Sequence, residues 1–156
     1  MADISNYAAI VAAVAAKLTA GGAQNVYAYQ RHVADWKAML ALFQYGTGGA
    51  AVIHGWTVSR ERVDETWLTN KEVVRVHHFK IRGYYGCKDS SATEDTFQNL
   101  LDTVSNKWRE EFDMEGTAEQ RTPLQFPMID HRLFSGVLCH YAECTVAVTE
   151  RLAGGS

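Results

Sequence analysis

Six histidines and three cysteines are the residues of this chain whose chemistry could go beyond packing. His77 and His78 are neighbours in an alternating run, so on a strand they point to opposite faces and do not share one ion readily. No HExxH, CxxC or Asp-rich loop accompanies them, and the reading from spacing is that the chain has no metal site and no cofactor. A covalent nucleophile would have to pair Cys139 or Cys144 with His131 or His140. Cys139 and His140 are adjacent on a predicted strand and diverge, while Cys144 sits among valines as a small buried hydrophobe. Asp130-His131 reads as a loop end, not an acid/base pair. Gly46, Gly48 and Gly49 lack the Walker lysine and the dinucleotide spacing, and read as punctuation before a strand. The expectation is a protein without a catalytic residue.

Nucleic-acid binding is poorly supported. Arg75, Lys80, Arg82, Tyr84 and Tyr85 would make a weakly basic aromatic sheet face, but the formal charge is -3 and no RNP-like pattern occurs. A solvated or subunit-contacting face is the better reading. An odd cysteine count without close pairs fits reduced thiols in the cytoplasm. The apolar stretch from Ala8 to Ala16 has no basic residues before it and continues into Lys17 within one periodic pattern, so it reads as a helix, not a signal peptide. No apolar run is long enough to cross a bilayer. The chain is expected to be soluble, with no membrane partner.

The elements that must position these residues are legible from their periods. Ile4, Tyr7, Val11, Val14 and Leu18 form one helical stripe, with Asp3 or Ser5 as its cap and Gly21-Gly22 as its stop. Val26 to Arg31 reads as a short strand, and Trp36, Met39, Leu40 and Phe43 as a second, shorter helix. Val52, His54, Trp56 and Val58 alternate with Ala51, Ile53, Gly55 and Thr57. Phe79, Ile81 and Tyr85 alternate with His78, Lys80, Arg82 and Tyr84. Between these runs, Ser59 to Glu72 is a charged segment expected to form a long antiparallel hairpin arm. Ser91-Ala92-Thr93-Glu94 reads as a capping box before the stripe Phe97, Leu100, Leu101, Val104, Trp108 and Phe112. Asp113 to Pro127 is aperiodic, holds both prolines and reads as a loop. Leu133 to Leu152 is β-rich, with a phase change that predicts a turn or bulge near Ala142-Glu143. The predicted architecture is a single α+β domain over residues 1–156. It has a mostly antiparallel sheet of four to five strands, two main helices on one face and an extended hairpin arm.

Four pieces, in order, resemble a known family: His54-Gly55-Trp56-Thr57-Val58-Ser59-Arg60; the run from Arg75 through His77-His78-Phe79-Lys80-Ile81-Arg82-Gly83 to Tyr84; Thr96-Phe97-Gln98-Asn99-Leu100-Leu101-Asp102; and Cys139-His140-Tyr141-Ala142-Glu143-Cys144-Thr145-Val146. Together they resemble the tail terminator (tail completion) proteins of long-tailed bacteriophages, from about Ala2 to Leu152, and none of the pieces is a catalytic signature. The resemblance implies a virion structural protein, assembled in the host cytoplasm. It would form a homo-oligomeric ring, typically a hexamer, that caps the tail tube and meets head-completion or neck proteins on its other side.

On that footing the two irregular segments become the contact elements. The first is the hairpin arm with Arg60, Arg62, Asp64, Glu65 and Trp67, where a tryptophan amid charges has the character of an interface anchor. The second is the loop with Gln125, Phe126, Met128 and Asp130. A ring of acidic chains would let DNA pass through its lumen without sequence-specific binding. Two other readings stand beside this one. A head–tail connector or head-closure neck protein is the first. A small-ligand enzyme or binding module on an α+β sheet is the second.

Overall fold

The computed structural model describes residues 7–29, 31, 35–45, 52–88, 91–110 and 120–153. The expected caps Asp3 and Ser5, the glycines Gly46 to Gly49, Phe112 and the start of the Asp113–Pro127 segment lie outside them. The fold is α+β. The elements run α1 (Tyr7–Ala20), β1 (Val26–Tyr27), α2 (Trp36–Leu42), β2 (Gln44–Tyr45), β3 (Val52–Thr69), β4 (Glu72–Gly86), α3 (Thr93–Glu110), β5 (Gln120–Arg121), β6 (Gln125–Phe134) and β7 (Val137–Ala153). Seven strands are present among the described residues, not four to five: four long ones and three of two residues. The order is β1-β3-β4-β7-β5, with β2 also on β3 and β6 also on β7. Only β1 runs parallel to its neighbour; every other pairing is antiparallel.

One face of the sheet carries α1 and α3. Trp56 and Val58 of β3, Phe79 and Ile81 of β4, and Cys144, Val146 and Val148 of β7 are buried there. They lie beneath Ile10, Val14 and Leu18 of α1 and Phe97, Leu101, Val104 and Trp108 of α3. The helical stripes form for the reason their spacing gives, since residues three and four apart share a side. α1 ends as expected: Gly22 has φ +107°, and the Ala23 N–H reaches back to the Leu18 carbonyl at 3.0 Å. α3 opens differently from the predicted box. It starts at Thr93, after Ala92 at φ +51°, and the Thr93 hydroxyl accepts from the Lys88 N–H at 2.8 Å. Positive φ at residue 92 breaks the Ser91-to-Glu94 geometry that a capping box needs.

The opposite face is covered at one end by α2, whose N-cap is Asp35, and by Phe43 just after it. Phe43 meets Tyr27, Tyr84 and Phe134 edge-on, with ring centroids 5.4, 6.2 and 4.9 Å away. This explains the phase change in β7 without a bulge. β7 pairs with β4 in unbroken register from Glu72↔Ala153 to Gly86↔Cys139. Cys139 and Tyr141 are buried on the α2 side, and Cys144, Val146 and Val148 on the α1/α3 side. Burial that switches faces along a straight strand gives the pattern read as a slip.

One further expectation is corrected. The segment through Gln125, Phe126, Met128 and Asp130 is not a loop; it is edge strand β6, joined to β7 by a two-residue turn. Ser135 (φ 47°) and Gly136 (φ 85°) have the left-handed geometry that hairpin turns favour. Pro127 is tolerated because it sits at a register shift between Gln125 and Met128 on an edge strand. The basic aromatic face weighed and set aside in the sequence is also absent from the structure among the described residues. Arg75 and Tyr85 lie on the α1/α3 side, Lys80, Arg82 and Tyr84 on the other, and Lys80 is paired with Glu143 at 2.9 Å and Glu61 at 3.2 Å. No helix among the described residues is long and apolar enough to cross a membrane.

Two glycines of the central pair set how closely the aromatic rings can approach. A Cβ on Gly55 would lie 1.7 Å from Phe43 Cδ1, and one on Gly83 2.6 Å from Trp56 Cζ3. Gly55→Ala is therefore expected to cost at least about 1–3 kcal/mol, the usual range for overpacking a filled core. Gly86→Ala, whose nearest contact would be 3.3 Å from the Ile53 nitrogen, should cost less. Urea unfolding of both variants checks this; equal midpoints would refute it.

Candidate interaction surface

The nine residues singled out from the sequence fall into two groups on opposite edges of the sheet, and the fold does not bring the groups together. The first group lies on the outer half of β3, with Arg60 just before a bulge and Arg62, Asp64, Glu65 and Trp67 beyond it. This distal hairpin turns at Asn70-Lys71, and β4 remains paired with β7 to its very end, so it is the end of a three-stranded sheet. Arg60 and Glu65 face the α1/α3 side and belong to a charged row inside the chain. Arg60 Nη1 lies 3.3 Å from His77 Nδ1, and its guanidinium sits 4.4 Å over the Tyr7 ring. His77 Nε2 is 2.8 Å from the Glu150 carboxylate, Glu150 is 3.6 Å from Arg75, and Arg75 Nε donates to Glu65 at 2.7 Å. His77 is fully buried and Glu150 nearly so. The Nε2–H tautomer of His77 satisfies both its neighbours, donating to Glu150 and accepting from Arg60.

Arg62 and Asp64 face the other side, where they pair with each other at 3.1 Å and both reach His78. Trp67 has no such shelter. It is 64% exposed, with Leu68 and Val63 also exposed beside it. Trp67, expected from the sequence as an interface anchor, thus faces solvent, whereas the charges around it are engaged within their own chain.

On the second edge, Phe126 is half-buried against the core, while Gln125, Met128 and Asp130 are exposed. Asp130 accepts from the His131 N–H at 2.8 Å, and Arg132 contacts the Met128 sulfur at 3.2 Å. Sequence reasoning missed the apolar residues beyond them. Ile129, Leu133 and Leu138 share one face of the β6–β7 hairpin and are exposed, Leu133 at 73%. The alternation Ile129, His131, Leu133 was the available signal, obscured by Pro127 at its start.

Sequence reasoning also missed a cleft of about 390 Å³ at the start of α3, lined by Cys87, Thr93, Glu94, Asp95, His131, Leu138 and His140. Cys87, His131 and His140 each place a ligand-type atom within 4.8 Å of the others. Burial lowers the pKa of His140, helped by His131, and raises that of the Cys87 thiol, helped by the Glu94 charge. The cysteines weighed from the sequence are elsewhere. Cys139 and Cys144 are buried thiols pushed up to about 12 by desolvation, which disfavours the thiolate that a nucleophile needs.

Two outcomes are expected. Glu150→Ala strips buried His77 of its carboxylate and Arg75 of one of its two and should destabilise the fold by about 3–5 kcal/mol. Glu65→Ala, at the exposed end of the same row, should cost under about 1 kcal/mol. Chemical unfolding distinguishes the two, and equal losses would contradict the ordering. His54 is buried between Tyr85 and Tyr45, its Nε2 without a hydrogen-bond partner among the described residues, and burial lowers its pKa from 6.5 to about 4. The unfolded chain takes up this proton first. Stability is therefore full above pH 6.5 and falls as pH drops to about 4, by roughly 3 kcal/mol. His54→Phe should flatten that part of the pH–stability profile; an unchanged slope would rule His54 out as its source.

Compared with models of known protein families and with curated protein sequences, the chain gives no match.

Proposed function

We propose that the chain is a structural assembly subunit that closes into a homo-oligomeric ring of six copies on the end of a bacteriophage tail tube. There it ends tube polymerisation and offers its other side to head-completion or neck proteins. The observation that carries the reading is the pair of unlike sheet edges. Outer β3 exposes Val63, Trp67 and Leu68; β6 with the start of β7 exposes Met128, Ile129, Leu133 and Leu138. Unlike patches on opposite edges of one sheet favour a head-to-tail contact, and a head-to-tail contact that closes on itself makes a ring. The distal β3–β4 hairpin serves in this reading as the arm that grips the neighbouring subunit. Exposed strand edges are ordinarily blunted against uncontrolled pairing. An edge that keeps several large apolar side chains in water is better explained by a partner. The resemblance of the sequence pieces to tail terminators supplies the identity of the polymer end.

The small-ligand reading is favoured by one observation, the polar cleft at the start of α3. The cleft does not account for two apolar edges.

Sedimentation of concentrated protein, alone and mixed with polymerising tail-tube subunits, tests the proposal. A ring-sized particle and shortened tubes are expected. Leu133→Lys and Trp67→Glu should each abolish the ring while leaving the stability of dilute protein within about 0.5 kcal/mol, because both side chains already face solvent. A wild-type chain that stays monomeric in both settings, with tube lengths unchanged, would overturn the reading. Binding to tubes without shortening them would shift it to a connector or head-closure protein.

A further inference from the structure

We propose that Cys87, His131 and His140 form a binding site for a zinc ion at the mouth of the cleft, with the fourth position turned toward Glu94. Three separate strands deliver the set. Cys87 follows the end of β4, where its N–H donates to the Leu138 carbonyl at 3.1 Å. His140 lies two residues further along β7, and His131 stands directly opposite it on β6. All three side chains emerge on the α1/α3 face, and α3 starts beside them with Thr93 and Glu94. None of this depends on the ring reading.

The donors suit the ion. One thiolate and two imidazoles are borderline-soft ligands of the kind that favour Zn²⁺ over magnesium or calcium. Bond lengths of about 2.0–2.3 Å at tetrahedral angles set neighbouring donors about 3.4–3.6 Å apart. The present spread of up to 4.8 Å needs only a small closing movement, and exposed His131 is free to supply it. One imidazole also has an outer partner of the type that fixes a metal-binding ring: Thr93 Oγ1 lies 2.8 Å from His140 Nε2. That contact leaves Nδ1 of His140 for an ion. The Cys87 thiol gives up its proton to solvent on binding, as coordinating thiols do.

The alternative use of such a cluster, a Cys–His nucleophile, is less well served, because the surroundings raise the Cys87 pKa and a nucleophile needs it lowered. A dication reverses that balance by its own charge. Bound there, it would tie exposed strand β6 to the end of β4 and the start of α3, stiffening that edge of the sheet.

Cobalt(II) titration of metal-stripped protein tests the site. One equivalent per chain is expected, with a thiolate-to-cobalt charge-transfer band in the near ultraviolet that zinc bleaches. Cys87→Ser should remove the band, and His131→Ala should weaken cobalt binding about tenfold or more. His78→Ala, at a histidine paired with Asp64 far from the cleft, should change neither. His131 is exposed, so its variant folds and keeps the comparison readable. Absence of stoichiometric uptake, persistence of the band in Cys87→Ser, or unchanged affinity in His131→Ala would each overturn the proposal.

Discussion

The close packing of Trp56 on Gly83, directly across the β3–β4 ladder, is the contact on which the rest of the molecule depends. A large ring laid over a strand backbone covers the ladder on the α1/α3 side, and only a residue without a Cβ lets it lie that close. The same device recurs one residue away on the other side, where Phe43 packs on Gly55. Two adjacent residues of β3 therefore anchor two layers, with Phe97 of α3 against Trp56 and the α2 end against Gly55. Shifting the β3–β4 register by one residue would put Trp56 opposite Arg82 or Tyr84, positions with a side chain, so the Gly83 notch selects one alignment.

What the sequence made legible follows from where burial is one-sided. The stripes of α1 and α3 and the alternation of β3 and β4 could be read because each buries one constant face. β7 could not, because the sheet is covered by α1 and α3 along most of its length and by α2 and Phe43 at one end. The hydrophobic phase changes where the second cover begins, with no change in the strand. β6 was hidden for a different reason. Between Phe126 and Phe134 both sides of it are exposed, so its composition there follows neither core rule, and Pro127 disguised its start as a loop.

The functional surface was legible in part for related reasons. Trp67 could be picked out from the sequence, because a large aromatic among charges is conspicuous without coordinates. The engagement of its neighbours could not, because Arg60, His77, Glu150, Arg75 and Glu65 come from three strands and meet only through the register of the sheet. The same holds for Cys87, His131 and His140. Their separations in sequence match no motif, and antiparallel pairing alone makes them neighbours. Sites assembled across strands are invisible to spacing rules, which see ligands on one helix or one loop.

The distal sheet shows how polar residues can hold a region that α1 and α3 barely reach. Little apolar burial is available there, since most of outer β3 is exposed. Glu150 and His77 are buried instead, and each is satisfied only when β3, β4 and β7 hold their observed alignment. A slip of one residue would move Glu150 to the opposite face and leave His77 without its carboxylate, at a cost that a surface pair would not impose. The bulge between Arg60 and Arg62 serves the same end. It lets Glu61 reach Lys80 on one side while Val63 and Glu65 return to the other, so both faces are paired within the chain. With its charges thus occupied, the outer edge has mainly apolar side chains left to offer, and any partner that docks there must be recognised by shape and by Trp67 more than by charge.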